Sequence, residues 1–461
     1  MVNVVIVASG SRGEVQPYIA LAIALQAHGH QVAIATETRM KSLVEQDFGL
    51  DYRYLAGDPT GLLWEPHAQK ALKKGSLFEL MSMTKEWECK YDRMDILQSY
   101  VSACEGAELI IGANLTLTQS YCVAEYMNCA WVPMILGPTF PTNEFPLWIV
   151  PPCLHCLPNK WFYKLVLKSL WNNEKKFINR WREEKLKLPP IKESSGIMSI
   201  IERKKPPVII ACSPLMCGPK KQVPKDYPSY VHLNGFAFVT TNDMDEKSVD
   251  LQLKKFVATA SPKNLIYFGF GSMPAPHPEE LIDIALGTCQ QLGCKGVLVA
   301  GWSGIDSCEA MLEKAKDVLF ITKSAPHDWL FPRVSCIVHH GGIGTTAAAL
   351  RSGVPQIPCP VMLDQPHMAK VILGLGVAPD ILPFSKLSVE RLAPLLQLAT
   401  NEATSAQYRQ CAQTCAEQIC LESSSCLELY CSLVLDHVES FQNQKGSTNN
   451  APCNSVVSND R

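Results

Sequence analysis

The sequence lacks a strong charge of either sign and any long apolar run. Its 42 lysines and arginines nearly balance its 44 aspartates and glutamates, for a formal net charge of −2, so there is no global basic field to hold nucleic acid. The apolar runs at 4–8 and 265–270 are far shorter than the ~20 residues of a membrane-spanning helix. We therefore expect neither a nucleic-acid-binding protein nor an integral membrane protein.

The N-terminus also lacks the features of a secretory signal. Its first residues, MVNVVIVASGSRGE, carry no basic group ahead of a short apolar stretch. The 19 cysteines are odd in number, which in a chain without a leader favours reduced, mostly buried thiols. We expect a cytoplasmic protein. Cys153 and Cys156 form a CxxC pair, but no second pair completes a zinc site.

A chain of 461 residues, of which 47% are hydrophobic, is long enough for two or three domains with sizeable cores. Residues 2–36 and 264–300 share one pattern: an apolar strand, a turn with glycine and serine, a helical segment and a second strand. Such βαβ units predict an α/β protein of two Rossmann-like, doubly wound domains. The predicted divisions are an N-terminal domain at 1–235, an interdomain linker at 236–260, a C-terminal domain at 261–401, closing helices at 402–442 and a disordered tail at 443–461.

The most informative segment is a glycine-rich turn between a predicted strand at 334–338 and a predicted helix at 345–350. Here Gly341, Gly342 and Gly344 leave backbone N–H groups uncovered where the helix dipole is positive, which is the arrangement of an anion site. A ligand that carries phosphate is therefore expected. Further donors would come from His339, His340, Thr345 and Thr346.

Two other interpretations of this turn are open. The glycines can serve only the close packing of strand and helix. Alternatively, Gly342, Gly344 and Ala347 satisfy the G-x-G-x-x-A pattern of a nicotinamide dinucleotide site, with Asp364 at the distance of its ribose-binding acid. The three prolines between 355 and 360 argue against a dinucleotide site, since proline lacks the N–H that a sheet interior needs.

Several motifs together resemble one known family. They are GSRGEVQPYIAL near the start, YLAGDPTGL at 54–62, INRWREEKLKLPP at 178–190, YFGFGSM at 267–273, GWSGI at 301–305 and, above all, APHDWLFPRV at 325–334 followed by VHHGGIGTTAAALRSGVP and DQPHMAK. This set is similar to that of the sterol 3-beta-glucosyltransferase group within the UDP-glycosyltransferase superfamily. The resemblance implies the GT-B architecture, in which two Rossmann-like domains face each other.

The resemblance also implies that the C-terminal domain holds UDP-glucose as donor substrate, with no separate cofactor. The glycine-rich turn would cradle the pyrophosphate, the turn at 325–327 would hold the uracil, and Asp364 and Gln365 would grip the sugar hydroxyls. No carboxylate cluster marks a magnesium site, so we expect a metal-independent reaction. The implied donor-binding residues are Ser272, Trp302, Ala325, Pro326, His327, His340, Gly342, Gly344, Thr345, Asp364 and Gln365.

The first glycine-rich loop supplies the catalytic base in this family. The usual residue is an aspartate, and this chain has Glu14. A glutamate can remove a hydroxyl proton by the same chemistry, although its carboxylate lies one methylene further out. His28 and His30 are the alternative bases, but capping and exposure at a helix-to-strand turn explain them better. The chain also has Ala348 where plant-type members of the superfamily have a glutamate for the ribose hydroxyls.

The acceptor side carries a basic, aromatic segment at 160–187, with nine lysines and arginines against three glutamates. The helical spacing of Phe162, Val166 and Leu170 fits two interpretations. The segment lies on an anionic membrane surface, from which a lipid acceptor enters, or it is a surface helix whose apolar face packs inward. The run at 139–154, rich in proline and aliphatic residues, is consistent with a hydrophobic acceptor wall.

We therefore predict an inverting, metal-independent glycosyltransferase that moves glucose from UDP-glucose to a lipid hydroxyl, specifically that of a 3β-hydroxysterol. Glu14 would deprotonate the acceptor, and UDP would depart from the opposite face of the sugar. Two alternatives stay open. One is the same fold acting on another hydrophobic acceptor, such as a glycolipid, polyketide or phenol. The other is a UDP-sugar-binding protein without turnover.

Overall fold

The computed structural model describes residues 1–58, 61, 92–150, 158–239, 249–261, 264–271, 278–299, 315 and 317–449. Two parallel sheets with helices packed on them confirm the predicted α/β class with two doubly wound domains. Four residues singled out in the sequence lie outside the described part of the chain: Cys153, Cys156, Ser272 and Trp302.

The N-terminal domain is built on a seven-stranded sheet. Its strands are β1 (Asn3–Val7), β2 (Gln31–Glu37), β3 (Asp51–Leu55), β4 (Leu109–Gly112), β5 (Ala130–Ile135), β6 (Val208–Ile210) and β7 (Val231–Leu233). Their spatial order is β3-β2-β1-β4-β5-β6-β7, with every pair parallel. The helices are α1 (Arg12–Ala27), α2 (Arg93–Ala103), α3 (Leu117–Met127), α4 (Asn159–Trp181) and α5 (Ile197–Lys204).

The C-terminal domain is built on a five-stranded sheet. Its strands are β8 (Leu265–Gly269), β9 (Lys295–Val299), β10 (Leu319–Thr322), β11 (Cys336–His339) and β12 (Gln356–Pro358). Their order is β10-β9-β8-β11-β12, again all parallel. The helices are α6 (Leu251–Ala258), α7 (Pro278–Leu292), α8 (His327–Leu330), α9 (Ile343–Ser352), α10 (Gln365–Gly374), α11 (Val389–Thr400) and α12 (Ala406–Asn449).

The order of strands fixes where ligands can bind. In each parallel sheet all carboxyl ends lie at one edge, where the following helices begin. Helix α1 follows the interior strand β1, and α9 follows β11, which lies beside β8 at the centre of its sheet. The N-termini of α1 and α9 therefore open at the functional edges of their domains.

The last helix, α12, packs on both domains. Its first part contacts α9, and its later part contacts α1 and β5. Ala412 and Ile419 belong to a buried cluster that contains residues of both domains, whereas Tyr430 and Val434 join the core of the N-terminal domain. Helix α12 therefore ties the two domains together.

The segment predicted as the interdomain linker, 236–260, contains a helix. Helix α6 forms within it because Asp250 accepts a hydrogen bond from the Gln252 N–H at 2.7 Å, which caps the helix start. Leu253 and Phe256 are buried in a core cluster of the C-terminal domain. The end of this segment therefore packs with the C-terminal domain.

The predicted closing helices at 402–442 are largely one helix, which also continues to Asn449 into the predicted disordered tail. The reason lies in contacts far from the sequence neighbourhood. Lys445 donates a hydrogen bond to the Asn128 carbonyl, and Phe441 packs against a core cluster of the N-terminal domain. These contacts anchor the final turns on the N-terminal domain.

The described residues also bear on two expectations from the composition, the absence of a membrane-spanning helix and the reduced state of the cysteines. None of their helices is long and apolar enough to span a bilayer. The cysteines within the described ranges are free thiols, and most of them are buried, as the sequence predicts.

Candidate active site

Two glycine-rich turns, one from each domain, meet where their helices begin. A Cβ atom added to Gly344 would lie 3.1 Å from the Cα of Gly13. The N-termini of α1 and α9 both carry free N–H groups and a partial positive charge, so the meeting point attracts an anion. We call the turns 8–14 and 339–345 together the interdomain junction.

Glu14 lies at the interdomain junction in the first turn of α1. Its Oε2 accepts a hydrogen bond from the Ser11 N–H at 2.6 Å, as in the glutamate half of a capping box. The carboxylate folds back over Gly10, where a Cβ atom would overlap it. The side chain of Glu14 is one methylene longer than the aspartate that is usual in the family that the chain resembles, and this folded-back conformation accommodates the extra length.

The surroundings of Glu14 suit a general base. Burial raises the pKa of its carboxyl group, hydrogen bonds from Ser11 oppose the shift, and the charge of Asp364 adds to it. Asp364 belongs to the C-terminal domain, so its influence reaches Glu14 across the interdomain junction. A carboxylate with a raised pKa is a more effective base at neutral pH.

A second buried carboxylate, Glu37, supports the same turn, and the sequence analysis missed it. Glu37 ends β2, is 5% exposed, and accepts hydrogen bonds from the Ser9 hydroxyl, from the Gly10 N–H at 3.4 Å and from the Thr36 hydroxyl at 3.1 Å. Burial raises the pKa of Glu37. The available indication was a carboxylate at the end of an apolar strand, on the edge where the glycine-rich turn begins.

His340 lies within the glycine-rich turn of the C-terminal domain. Its ring occupies the space that a Cβ atom on Gly271 or Gly342 would fill. The Nδ1 atom is buried and has no hydrogen-bond partner among the described residues. Burial lowers the pKa of His340 to about 4, so the imidazole is neutral at pH 7 and can donate a hydrogen bond to an anion.

His339 differs from the prediction that it adds a donor for the ligand. Its Nε2 lies 2.9 Å from Gln356 Oε1, and its Nδ1 accepts the Gly341 N–H at 3.2 Å, which assigns the proton to Nε2. Burial lowers the pKa of His339 to about 3. His339 and the Gly341 N–H therefore hold the turn. The Thr346 side chain is also fully buried, whereas Thr345 is half-buried.

The turn at 325–327 leads into α8, which begins at His327, and is half-buried. His327 Nε2 lies 3.1 Å from the Tyr267 hydroxyl, and the imidazole stacks on Phe331 with centroids 4.3 Å apart. Burial lowers the pKa of His327 to about 4; the charge of Asp328 opposes this shift, and the positive charge of Arg12 contributes to it. Because Arg12 belongs to α1, this turn also lies close to the N-terminal domain.

Asp364 and Gln365 stand at the start of α10. Gln365 is 5% exposed, and its Oε1 accepts the N–H groups of Val361 at 2.8 Å and Met362 at 3.3 Å. The carbonyl thus braces the preceding turn, which leaves the amide NH₂ group for a ligand. Burial raises the pKa of Asp364. Leu363 has a φ of 59°, a conformation uncommon outside glycine.

The structure gathers most of the described candidate residues around one point. The two turns of the interdomain junction, with the start of α10 beside them, contain Glu14, His340, Gly342, Gly344, Thr345, Asp364 and Gln365. Their roles in binding and catalysis stay predictions. No group of three or more His, Cys, Asp or Glu that could hold a metal ion occurs in the described ranges, and metal independence also stays a prediction.

The alternative bases lie at the other end of α1. His28 Nε2 is 3.0 Å from Glu428 of α12, and His30 Nδ1 accepts the Val2 N–H at 3.2 Å. A helix of 16 residues is about 24 Å long. This separation excludes both histidines as the base at the interdomain junction.

Family models match both halves of the chain. The Glycosyltransferase family 28 N-terminal domain matches residues 4–125, and the Erythromycin biosynthesis protein CIII-like C-terminal domain matches residues 312–425. Among solved structures, the glycotransferase of kitacinnamycin has a TM-score of 0.66 at 16% identity, covering 95% of this chain and 99% of its own. The glycosyltransferase VinC in complex with dTDP has a TM-score of 0.59 at 16% identity, covering 95% and 100%.

Three curated relatives are similar in sequence. O-mycaminosyltylonolide 6-deoxyallosyltransferase of Streptomyces fradiae is 29% identical over 92% of this chain and 96% of its own length. A sterol 3-beta-glucosyltransferase of Arabidopsis thaliana is 30% identical over 87% of this chain, and that of Yarrowia lipolytica is 30% identical over 85%. The chain spans 61% of the plant enzyme and 26% of the yeast enzyme. The chain belongs to the UDP-glycosyltransferase superfamily with the GT-B fold, and it is similar over most of its length to the sterol 3-beta-glucosyltransferase group.

Proposed function

We propose that the protein transfers glucose from UDP-glucose to the hydroxyl of a lipid, a 3β-hydroxysterol, with inversion and without a metal ion. One observation carries this proposal: Glu14, a carboxylate with a raised pKa, lies where the N-termini of α1 and α9 meet. The sterol 3-beta-glucosyltransferases among the relatives support the sugar and the acceptor.

The proposed reaction is a single displacement. Glu14 takes the proton of the acceptor hydroxyl, whose oxygen attacks the anomeric carbon of glucose. The bond from this carbon to the diphosphate oxygen breaks, UDP leaves with the electron pair, and the configuration inverts. The N–H groups and dipole at the start of α9, with the neutral His340, would stabilise the charge on UDP. Asp364 and the NH₂ group of Gln365 would hold the sugar hydroxyls.

UDP release from UDP-glucose by the purified protein in detergent, with and without cholesterol, tests the proposal. We expect cholesterol-dependent release that Glu14→Gln reduces to a small residual rate. A capping box accepts glutamine as well as glutamate, so this variant keeps its contact with Ser11 and loses only the base. The matched control is Glu280→Gln, an exposed glutamate in the first turn of α7, which should keep wild-type activity. NMR of the product tests inversion, because it gives the anomeric configuration of the transferred glucose. Activity measured in the presence of EDTA tests metal independence.

The Streptomyces fradiae relative favours a second acceptor class. Its name gives O-mycaminosyltylonolide as acceptor and 6-deoxyallose as sugar, so this acceptor belongs in a parallel assay. Release with it and not with cholesterol would replace the sterol in the proposal. Calorimetric binding of UDP-glucose without release, for any acceptor, would indicate a binding protein without turnover. A melting temperature raised by NAD and not by UDP would indicate a dinucleotide site.

We also propose that α4 contacts a membrane that contains the acceptor. The buried side chains Phe162, Tyr163 and Trp171 fit a surface helix packed inward. This packing does not explain Trp161 and Leu165, which lie one turn apart and are 55% and 48% exposed. A helix that only covered its own domain would not need these two apolar side chains in water.

The exposed side of α4 is also basic. Lys164 and Lys168 are exposed, and no aspartate or glutamate occurs at 159–173. Exposed lysines beside Trp and Leu are typical of helices that lie in a membrane interface.

Flotation with phosphatidylcholine vesicles, with and without phosphatidylserine, tests the membrane contact. We expect binding that requires phosphatidylserine, weakens at high salt and is lost when Trp161→Ser and Leu165→Ser are combined. Leu421→Ser is the matched control, since Leu421 is 74% exposed on α12. If the double variant and the control float equally well, α4 is not the contact surface.

A further inference from the structure

The turn between β1 and α1 is held between two carboxylates. Glu14 accepts the Ser11 N–H on one side at 2.6 Å. On the other side, Glu37 accepts the Ser9 hydroxyl and the Gly10 N–H at 3.4 Å. Three consecutive residues of the turn thus bind one carboxylate or the other.

Burial of the Glu37 carboxylate would be unfavourable if this side chain only filled space in the core. It is 5% exposed, and no ion pair to it is found within the described ranges. A buried charge without a cation destabilises a protein unless hydrogen bonds compensate it. Here the compensation is the set of donors from Ser9, Gly10 and Thr36.

A carboxylate accepts from all three donors at once. Glutamine has a single acceptor oxygen, so it would either reverse the hydrogen bond with the Ser9 hydroxyl or leave the Gly10 N–H without an acceptor, and it would carry no charge. Two of the three donors, those of Ser9 and Gly10, belong to the turn that carries Glu14. The negative charge of Glu37 therefore fixes the position of this turn relative to β2.

We propose that Glu37 is a positioning residue for the base, which it holds in place through the turn. Gly10 couples the two carboxylates: its N–H binds Glu37, and its missing Cβ leaves the space that Glu14 occupies. The proposal rests on the proposed function of Glu14 as the base. A displacement of the base by ~1 Å lowers turnover by up to about 100-fold.

Steady-state kinetics of Glu37→Gln test the proposal. We expect kcat to fall by about 10- to 100-fold, while the KM for UDP-glucose and the Kd of UDP stay unchanged, because α9 belongs to the other domain. The stoichiometry of UDP binding, measured by calorimetry, gives the folded fraction of each variant, and kcat is corrected by this fraction. Thr36→Val is the matched control: it removes a hydrogen bond to Glu37 without touching the turn, so its loss of kcat should be much smaller. Equal losses in both variants would overturn the proposal.

A double-mutant cycle separates positioning from a general structural role. If Glu37 acts through Glu14, adding Glu37→Gln to Glu14→Gln lowers the residual rate no further. A structural role would lower the residual rate by the same factor as in the wild type. An additive result therefore overturns the proposal even if kcat of the single variant falls.

Hydrogen exchange of the peptide at 8–18 provides a measurement independent of turnover. We expect faster exchange in Glu37→Gln at this peptide, with α9 unchanged. If the wild type shows no turnover with any acceptor, the proposed function has failed, and exchange alone decides whether Glu37 holds the turn. Unchanged exchange overturns the positioning role whatever the kinetics show.

Discussion

At the scale of single residues, the adjacent histidines of the glycine-rich turn differ in what surrounds them. His339 uses both ring nitrogens inside the protein, on Gln356 and on the Gly341 N–H. His340 has an Nδ1 without a partner among the described residues. The Gly269 backbone offers a hydrogen bond to one nitrogen of the His340 ring, so the other ring nitrogen is the one that a ligand would engage.

His340→Ala should therefore weaken UDP binding. The expected loss is about 1–3 kcal/mol, as for a hydrogen bond to a charged group, and calorimetry with UDP measures it. His28→Ala is the control, since His28 pairs with Glu428 at the far end of α1 and should leave UDP affinity unchanged. Unchanged affinity in His340→Ala would remove His340 from the donor site.

Both histidines should also resist protonation. The pKa values of His339 and His340 are lowered to about 3 and about 4, from an ordinary 6.5. As pH falls below about 6.5 the unfolded chain binds protons first, so the free energy of unfolding decreases by up to about 1.4 kcal/mol per pH unit for each histidine. NMR of the imidazole resonances checks this directly. Titration of either ring near pH 6.5 in the folded protein would contradict its lowered pKa.

The predictability of the site differs between residues. Glu14, His340 and Asp364 stand in motifs, so their neighbours in the sequence already indicate their chemistry. The roles of His339 and Glu37 depend on partners 17 and 28 residues away, and no local pattern contains those partners. Glu37 ends an apolar strand, and only the sheet order places this end beneath the turn of β1.

At the scale of elements, α12 contributes the contacts that join the domains. The side chain of Tyr430 is fully buried, and its hydroxyl donates to the Gly235 carbonyl at 2.9 Å, just after β7. The helix has 44 residues, so it is about 66 Å long and can reach from α9 to β5. The hydroxyl of Tyr430 thus fixes the helix against the chain segment that leaves the N-terminal domain.

Tyr430→Phe should destabilise the protein. The substitution leaves the Gly235 carbonyl without this donor, and the expected loss in free energy of unfolding is about 1–3 kcal/mol. Urea denaturation measures it, with Tyr126→Phe as control because Tyr126 is 47% exposed. A loss no larger than that of the control would show that this hydrogen bond does not anchor α12.

Elements were predictable where apolar periodicity is strong. The apolar runs at 4–8 and 265–270 correspond to β1 (Asn3–Val7) and β8 (Leu265–Gly269). Helix α6 was missed because its polar surroundings resemble a linker, although Asp250 caps it. The final turns of α12 were missed because Lys445 binds Asn128, a contact across 317 residues.

At the scale of the whole molecule, the two domains meet through glycines. The repeated βαβ pattern predicted two domains, and the family resemblance predicted that they face each other. Neither identified which backbone atoms touch, because that depends on how α12 and the chain after β7 orient the domains. The contact of Gly13 with Gly344 is close because neither residue has a side chain.

This contact offers a matched pair of substitutions. A Cβ on Gly344 would lie 3.1 Å from Gly13 Cα and 3.4 Å from its carbonyl oxygen, so the domains would have to separate by a few tenths of an ångström. A Cβ on Gly13 would lie 3.8 Å from Gly344 Cα, an ordinary contact. Gly344→Ala should therefore lower kcat much more than Gly13→Ala, because separation withdraws Glu14 from the sugar.

Stability measurements keep this comparison interpretable. Both glycines lie in helices, where alanine is more favourable by up to about 1 kcal/mol, so neither variant should unfold earlier than the wild type. Lost turnover in Gly344→Ala then reflects the distance between the domains and not a lost fold. If the two variants lose kcat equally while UDP affinity is unchanged, the closeness of the domains at this contact does not limit the reaction.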